Sequence, residues 1–184
     1  MANVLVPLAP GCEELEAITI TDLLTRAGIN VVTAGLDNQA VTASRGMRLI
    51  PDMELDQALK RDYDMVVLPG GLPGADHLNN DPRIQALVKQ MAAANKYTAA
   101  ICAAPKVLAT AGLLRHRQAT SFPGALNQDE IEGLDYREDA VVVDGRIVTS
   151  RGPGTAMDFA LTLIELLIGK ARRDEVETQL QRPS

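Results

Sequence analysis

Residues 97–112, YTAAICAAPKVLATAG, decide the fold. Tyr97 to Ile101 is a short apolar run of strand type, and Ala103 to Ala111 reads as a helix that Gly112 ends. Pro105 suits a first helical turn, where its missing N–H costs nothing. Only Cys102 separates strand from helix. A strand turning at once into a helix around a nucleophilic residue has the form of a nucleophile elbow. Such a turn is tight enough to require small residues two before and two after the nucleophile. Ala100 and Ala104 meet that demand, and Ala103 is small as well.

The same alternation continues on both sides. Asn3 to Leu8 reads as a buried first strand, Glu13 to Ala27 as a helix stopped at Gly28, and Asn30 to Ala34 as a second strand. Val41 to Ile50, broken at Ser44-Arg45-Gly46, reads as a small side hairpin. A short helix over Glu54 to Lys60 precedes a β-branched strand, Asp64 to Leu68. Asp81-Pro82 opens a helix that runs to about Asn95. Ala140 to Thr149 carries two β runs around Asp144-Gly145, a hairpin signature. Thr155 to Ile168 is a helix apolar over most of its surface and so belongs between the sheet and a neighbour. Strands alternating with helices imply an α/β fold with a mostly parallel sheet covered on both faces. Ligands in such folds bind beyond the carboxyl ends of the strands.

The 184 residues form one expected domain, residues 1–184, with 46% hydrophobic and 23% charged residues. Aromatics make up 3% with no Trp, and the net charge is −6. A nucleic-acid surface of stacked rings or basic phosphate contacts is therefore not expected. Cys12 and Cys102 are the only cysteines, too few for a disulfide framework or paired-cysteine zinc spacing. The start, Met1 to Pro7, lacks a basic leader, and no stretch is apolar enough to span a bilayer. The expected compartment is the cytoplasm. The basic run Lys170 to Arg173 follows a helix end, where cations are common.

Three loops fall at one sheet edge. Cys102 at a helix start would have its thiolate favoured by unpaired N–H groups, or it is a small buried core residue. Gly70 and Gly71, after the Asp64 strand, either turn their amides toward an oxyanion or make a flexible turn. No Gly-Lys-Ser/Thr follows, so this is not a phosphate loop. Glu13 and Glu14 read as dipole partners on a solvated helix face. Glu16 is the acid that could turn toward the sheet top, with a raised pKa and a hydrogen bond to a thiolate. His77 and His116 have no metal-like spacing and receive no role.

Gly11-Cys12-Glu13-Glu14-Leu15-Glu16, Pro69-Gly70-Gly71, Ala100-Ile101-Cys102-Ala103 and Ser150-Arg151-Gly152-Pro153-Gly154-Thr155 stand in the order seen in the ThiJ/PfpI superfamily. The chain resembles most the branch of the Parkinson-disease-associated protein and its YajL-like bacterial relatives, from about Asn3 to about Gly169. The resemblance implies a flavodoxin-like three-layer sandwich, a homodimer, no cofactor and no metal. It makes Cys102 the reactive thiol and Glu16 its protonated partner, with Gly70, Gly71 and Ala103 around an anion pocket. It brings Arg45 and Pro153 to that pocket from the partner subunit and sets Arg26 near the interface. Peptidase members carry His after the cysteine, where this chain has Ala103. Phe122 stands where some relatives carry a histidine near the pocket.

The activity so implied is glyoxalase III-like detoxification of reactive dicarbonyls, or deglycation of their protein or nucleotide adducts. The alternative is an oxidative-stress sensor or redox-regulated chaperone acting through oxidation of Cys102. Cys12 is weighed as a resolving thiol for that role against an inert, partly buried one.

Overall fold

A computed structural model describes residues 1–182, so Pro183 and Ser184, the end of the expected 1–184 domain, lie outside the described residues. In chain order the first half runs β1 (Asn3–Leu8), α1 (Glu14–Arg26), β2 (Asn30–Gly35), β3 (Val41–Thr42), β4 (Arg48–Leu49), β5 (Met53–Glu54), α2 (Leu55–Ala58) and β6 (Met65–Leu68). Then follow α3 (Gly74–Asn80), α4 (Pro82–Ala93), β7 (Tyr97–Ile101), α5 (Pro105–Thr110), β8 (Gln118–Ala119) and β9 (Asp135–Tyr136). The chain continues through β10 (Val141–Asp144), β11 (Ile147–Ser150), α6 (Ala156–Ile168) and α7 (Lys170–Gln179).

The main sheet has seven strands in the order β10-β11-β7-β6-β1-β2-β5. Every pair in it is parallel except β10 with β11, the Asp144-Gly145 hairpin. β3 and β4 form the small side hairpin, Val41 opposite Leu49. From β1 the chain builds outward through β2 to β5, then crosses to β6, β7 and β11 on the other side. The loops after β1 and β6 therefore part at adjacent strands, the switch point where open α/β sheets leave a crevice. Register aligns the neighbouring ends: Leu68 stands opposite Ala100, and Ile101 opposite Ser150.

Alternating strand residues face opposite sides of the sheet, and two cores result. Val4, Val6, Val67 and Ile101 pack under α1, α6 and α7, against Ile20, Leu24, Phe159, Ile164 and Val176. Leu5, Val66, Leu68 and Ala100 pack under α2 to α5, against Leu55, Leu78, Ile84, Val88 and Leu108. This is the expected three-layer arrangement. The apolar α6 lies against both α1 and α7 as well as the sheet, which accounts for its nearly unbroken hydrophobic surface.

Three features escaped the sequence reading. Gly74–Asn80, to which the sequence reading assigned no element, is a helix. The short parallel pair β8–β9 has too few residues for a period to show. The Lys170–Arg173 run opens a further helix, α7, rather than trailing from α6. Its cations meet acids on the same helix: Lys170 pairs with Asp174 at 2.5 Å and Arg173 with Glu177 at 2.7 Å.

Candidate active site

β7 delivers Cys102 directly. The residue sits at φ +62°, left-handed backbone that a non-glycine residue adopts at a cost of about 1 kcal/mol or more. Two neighbouring segments hold it there. Its N–H donates to the Ser150 carbonyl at 3.0 Å, and its carbonyl accepts from the Phe122 N–H at 2.8 Å. Ala100 and Ala104 are fully buried around the bend, as the elbow requires. One expectation needs correction. α5 begins at Pro105, beyond Ala103 and Ala104, and is six residues long. The amides that favour a charge on the sulfur therefore belong to Ala103 in the turn and to Gly71 on the neighbouring loop, not to a long helix.

Glu16 turns inward from the first turn of α1 and is completely buried. Its Oε2 accepts the Gly70 N–H at 2.8 Å. Its Oε1 is buried without a hydrogen-bonding oxygen or nitrogen partner among the described residues. A Cβ on Gly70 would lie 2.6 Å from Cys102 Cβ and 2.9 Å from Glu16 Oε2. Thiol and carboxyl thus pack on either side of a glycine that leaves no space for a side chain. Gly70 was expected to offer its amide to an anion. That N–H is occupied by Glu16, so Gly71 and Ala103 alone remain to face a ligand.

Burial pushes the Glu16 carboxyl up to about 7, against the Gly70 amide and the Cys102 side chain. Burial and then the Glu16 charge push the Cys102 thiol up to about 12, while the Gly71 and Ala103 amides pull it down. The two groups compete for one negative charge. A proton on Glu16 removes the repulsion, and the two amides then act on the sulfur against its burial. A neutral Glu16 favours a thiolate here.

Cys102 opens into a cavity of about 520 Å³ lined also by Glu13, Ser44, Arg45, Gly71, Leu72, Ala103, Lys106, Phe122, Pro123, Gly124, Ala125 and Pro153. Arg45 and Pro153 reach it from the same chain as Cys102. The side hairpin and the loop after β11 fold back over the site of their own chain. Arg26 lies at the far end of α1, roughly 15 Å from Glu16 along the axis, and pairs with Asp22 at 2.7 Å.

Glu13 and Glu14 are not on a solvated face. Both are buried. Glu14 accepts the Arg45 N–H at 2.9 Å and the Ser44 hydroxyl at 3.1 Å, and Glu13 accepts that hydroxyl at 3.0 Å. Burial raises the Glu14 pKa, but the amides of Glu14, Arg45 and Met47 outweigh it and hold the carboxyl below its ordinary range. These acids clamp the β3–β4 loop onto the cavity rim. Lys106 was not singled out, although it stands in the first turn of α5, four residues after Cys102; its Nζ pairs with Asp76 at 2.7 Å. His77 turns a ring nitrogen to the Pro10 carbonyl at 2.9 Å, and His116 stands 3.5 Å from Glu132. Cys12 is fully buried, unbonded and outside the cavity lining, and burial pushes its thiol up to about 11. Nothing in that placement supports a resolving thiol. Among the described residues no three His, Cys, Asp or Glu side chains are grouped to hold a metal.

The carboxyl makes stability depend on pH. Glu16 rises from 4.5 to about 7 on folding, so its neutral form favours the fold below pH 4.5, and that contribution is lost as pH rises through 7. Glu16→Gln should remove this dependence. Urea unfolding at pH 4.5 and pH 7.5 should show wild type losing roughly 3 kcal/mol relative to the variant.

A model of the DJ-1/PfpI family matches residues 2–166. Drosophila melanogaster protein dj-1beta is 43% identical over 176 residues, 95% of this chain and 94% of the relative. The crystal structure of Drosophila DJ-1beta matches with a TM-score of 0.93 at 41% identity, over 100% of this chain and 99% of that one. The structure of oxidized Toxoplasma gondii DJ-1 matches at 0.92 and 37% identity, over 100% of both chains. The Caenorhabditis elegans glutathione-independent glyoxalase DJR-1.2 is 34% identical over 175 residues, 95% of this chain and 93% of the relative. Two Arabidopsis thaliana DJ-1 homologs are longer, and the chain spans 39% and 46% of their lengths. With the family model covering nearly the whole chain and its thiol–carboxyl pair set at a strand-to-helix elbow, the chain belongs to the DJ-1/PfpI family.

Proposed function

We propose that this protein is a cofactor-independent, cysteine-dependent enzyme that converts reactive dicarbonyls to hydroxy acids, and that the same site attacks their adducts on proteins or nucleotides. The observation that carries the reading is the buried Glu16 carboxyl packed across Gly70 from a cavity-facing Cys102. The relative from Caenorhabditis elegans bearing a glyoxalase name supports it.

With methylglyoxal the steps balance as follows. The Cys102 thiolate bonds to the aldehyde carbon, C1, and the C1 oxygen takes the proton of Glu16. The Gly71 and Ala103 amides face that oxygen as charge forms on it. The Glu16 carboxylate then removes the C1 hydrogen as a proton. The electron pair becomes the C1–C2 double bond of an enediolate, with charge on the C2 oxygen. A proton moves from the C1 oxygen to the C2 oxygen, and Glu16 returns its proton to C2, leaving a thioester of lactate. Water adds to the thioester and releases the thiolate, and Glu16 receives the water proton. The sum is methylglyoxal plus water giving lactic acid. Apart from the transfer between the two substrate oxygens, one group gives and takes each proton, which a carboxyl of pKa about 7 suits. Phe122 at the cavity wall makes that wall apolar and adds no acid or base.

Incubation with methylglyoxal should yield lactate, and Cys102→Ala should lower turnover about 1,000-fold or more. Equal lactate formation by the variant rules the reaction out.

A second reading, a peroxide sensor, is favoured by the likeness to an oxidized DJ-1 structure. A cavity-facing sulfur beside two amides can take up oxygen as sulfenic and then sulfinic acid. Graded peroxide followed by mass spectrometry should modify Cys102 before Cys12; the reverse order eliminates the sensor.

The protein also acts as a homodimer in our reading. Leu15 and Ile18 on the outer face of α1, with Met47 on the loop that Glu14 holds beside it, are 49%, 42% and 49% exposed. A patch of this kind marks a contact surface. Ile18→Glu should convert a dimer to a monomer in sedimentation velocity; a wild-type monomer refutes the assignment.

A further inference from the structure

The enediolate step leaves one charge without an assigned partner. The Gly71 and Ala103 amides serve the oxygen on C1, the carbon bonded to sulfur. The oxygen on C2 becomes negative when the C1 proton leaves, and it needs a donor of its own. Few cavity groups can give one. Glu13 is an acceptor, Glu16 holds at this point the proton it must return to C2, and the Ser44 hydroxyl is already directed at Glu13 and Glu14. Leu72, Phe122, Pro123, Ala125 and Pro153 have hydrocarbon side chains, and Gly124 has none. Two cations remain, Arg45 and Lys106.

They differ in how they are held. Arg45 is exposed on the hairpin loop, and only its backbone N–H is anchored, by Glu14. Lys106 stands in the first turn of α5, four residues after Cys102, with only 27% of its side chain exposed. Asp76 of α3 fixes its Nζ at 2.7 Å from a carboxylate oxygen. One carboxylate oxygen cannot use all three ammonium donors, so the lysine can hold its position and still donate into the cavity. A charge fixed before the reaction stabilises a developing anion without reorganising.

We propose that Lys106 is a catalytic residue of the dicarbonyl reaction, the cation that stabilises the enolate oxygen on C2, with Asp76 as its positioning residue. The inference rests on the reaction proposed above. It goes further in giving the site two separate oxygen subsites, amides for the C1 oxygen and a lysine for the C2 oxygen. The arrangement favours 1,2-dicarbonyls over simple aldehydes, because a simple aldehyde has no second oxygen to occupy the lysine.

The test uses two alkylating agents that differ in this one feature. Iodoacetate and iodoacetamide both place a CH2 on the Cys102 sulfur, and iodoacetate carries a negative oxygen on the next carbon, where the C2 oxygen of the dicarbonyl stands. The ratio of their rates with Cys102 cancels any change in the thiol itself. Lys106→Met should lower the iodoacetate-to-iodoacetamide ratio about tenfold, the scale of one unit charge at close range in a partly screened site. Asp76→Asn keeps an acceptor oxygen but loses the charge that fixes Nζ, and should lower the ratio by less than Lys106→Met does. In turnover of methylglyoxal, Lys106→Met should lower kcat more than it raises KM. An unaltered ratio in Lys106→Met overturns the inference, even where Cys102-dependent lactate formation stands. A ratio that depends on Lys106 in a protein forming no lactate supports the lysine subsite and refutes the proposed reaction. Should Lys106→Met fail to fold, a ratio unaltered by Asp76→Asn overturns the inference by itself.

Discussion

The hydrogen bond from the Gly70 N–H to Glu16 Oε2, 2.8 Å long and wholly buried, sets the geometry on which the site depends. It ties the first turn of α1 to the loop after β6 and stops the carboxyl from rotating away from the sulfur. It leaves the second carboxyl oxygen without a protein oxygen or nitrogen to bond. A buried acid with one oxygen satisfied and the other free is costly to ionise, and that cost keeps a proton available beside Cys102. Gly70 is needed for the bond and for the space, since a Cβ there would run into both Cys102 and the carboxylate.

The cavity wall depends on a second set of buried acids. Glu13 and Glu14 follow Cys12 directly and spend their oxygens on the β3–β4 loop, so a hairpin of only two residues per strand is held in place by carboxylates. That loop carries Arg45 to the rim. The neighbouring acids of one helix turn thus have separate uses: Glu16, pushed up to about 7 by burial, can hold or give a proton near neutral pH and faces the sulfur, while Glu14, held below its ordinary range, accepts backbone amides. The difference lies in donors. Glu14 receives amides from Arg45 and Met47 and a hydroxyl from Ser44; Glu16 receives one amide.

Most of the architecture was legible in the chain. Strand and helix periods, the Asp144-Gly145 hairpin, the broken β3–β4 hairpin and the Ala-Ile-Cys-Ala-Ala-Pro elbow follow from local sterics that each segment carries with it. The elements that escaped, α3, α7 and the β8–β9 pair, lack such a signal. α3 begins within a glycine-rich run, α7 is held by ion pairs along its own polar surface, and β8 and β9 have two residues each.

Sequence by itself determined that Cys102 stands at a strand-to-helix turn and that the loops after β1, β6 and β7 share an edge, because chain connectivity and side-chain size suffice for both. Only the tertiary structure decided which backbone donor each acid meets. Glu13, Glu14 and Glu16 have the same chemistry and nearly the same position, and a helix allows each of them to face outward. Their roles differ because Gly70, Ser44 and Arg45, distant in sequence, arrive at different sides of that turn. The same packing brought Arg45 and Pro153 over their own site and set Lys106 beside Asp76. Such pairings depend on where whole elements come to rest, which no local period encodes.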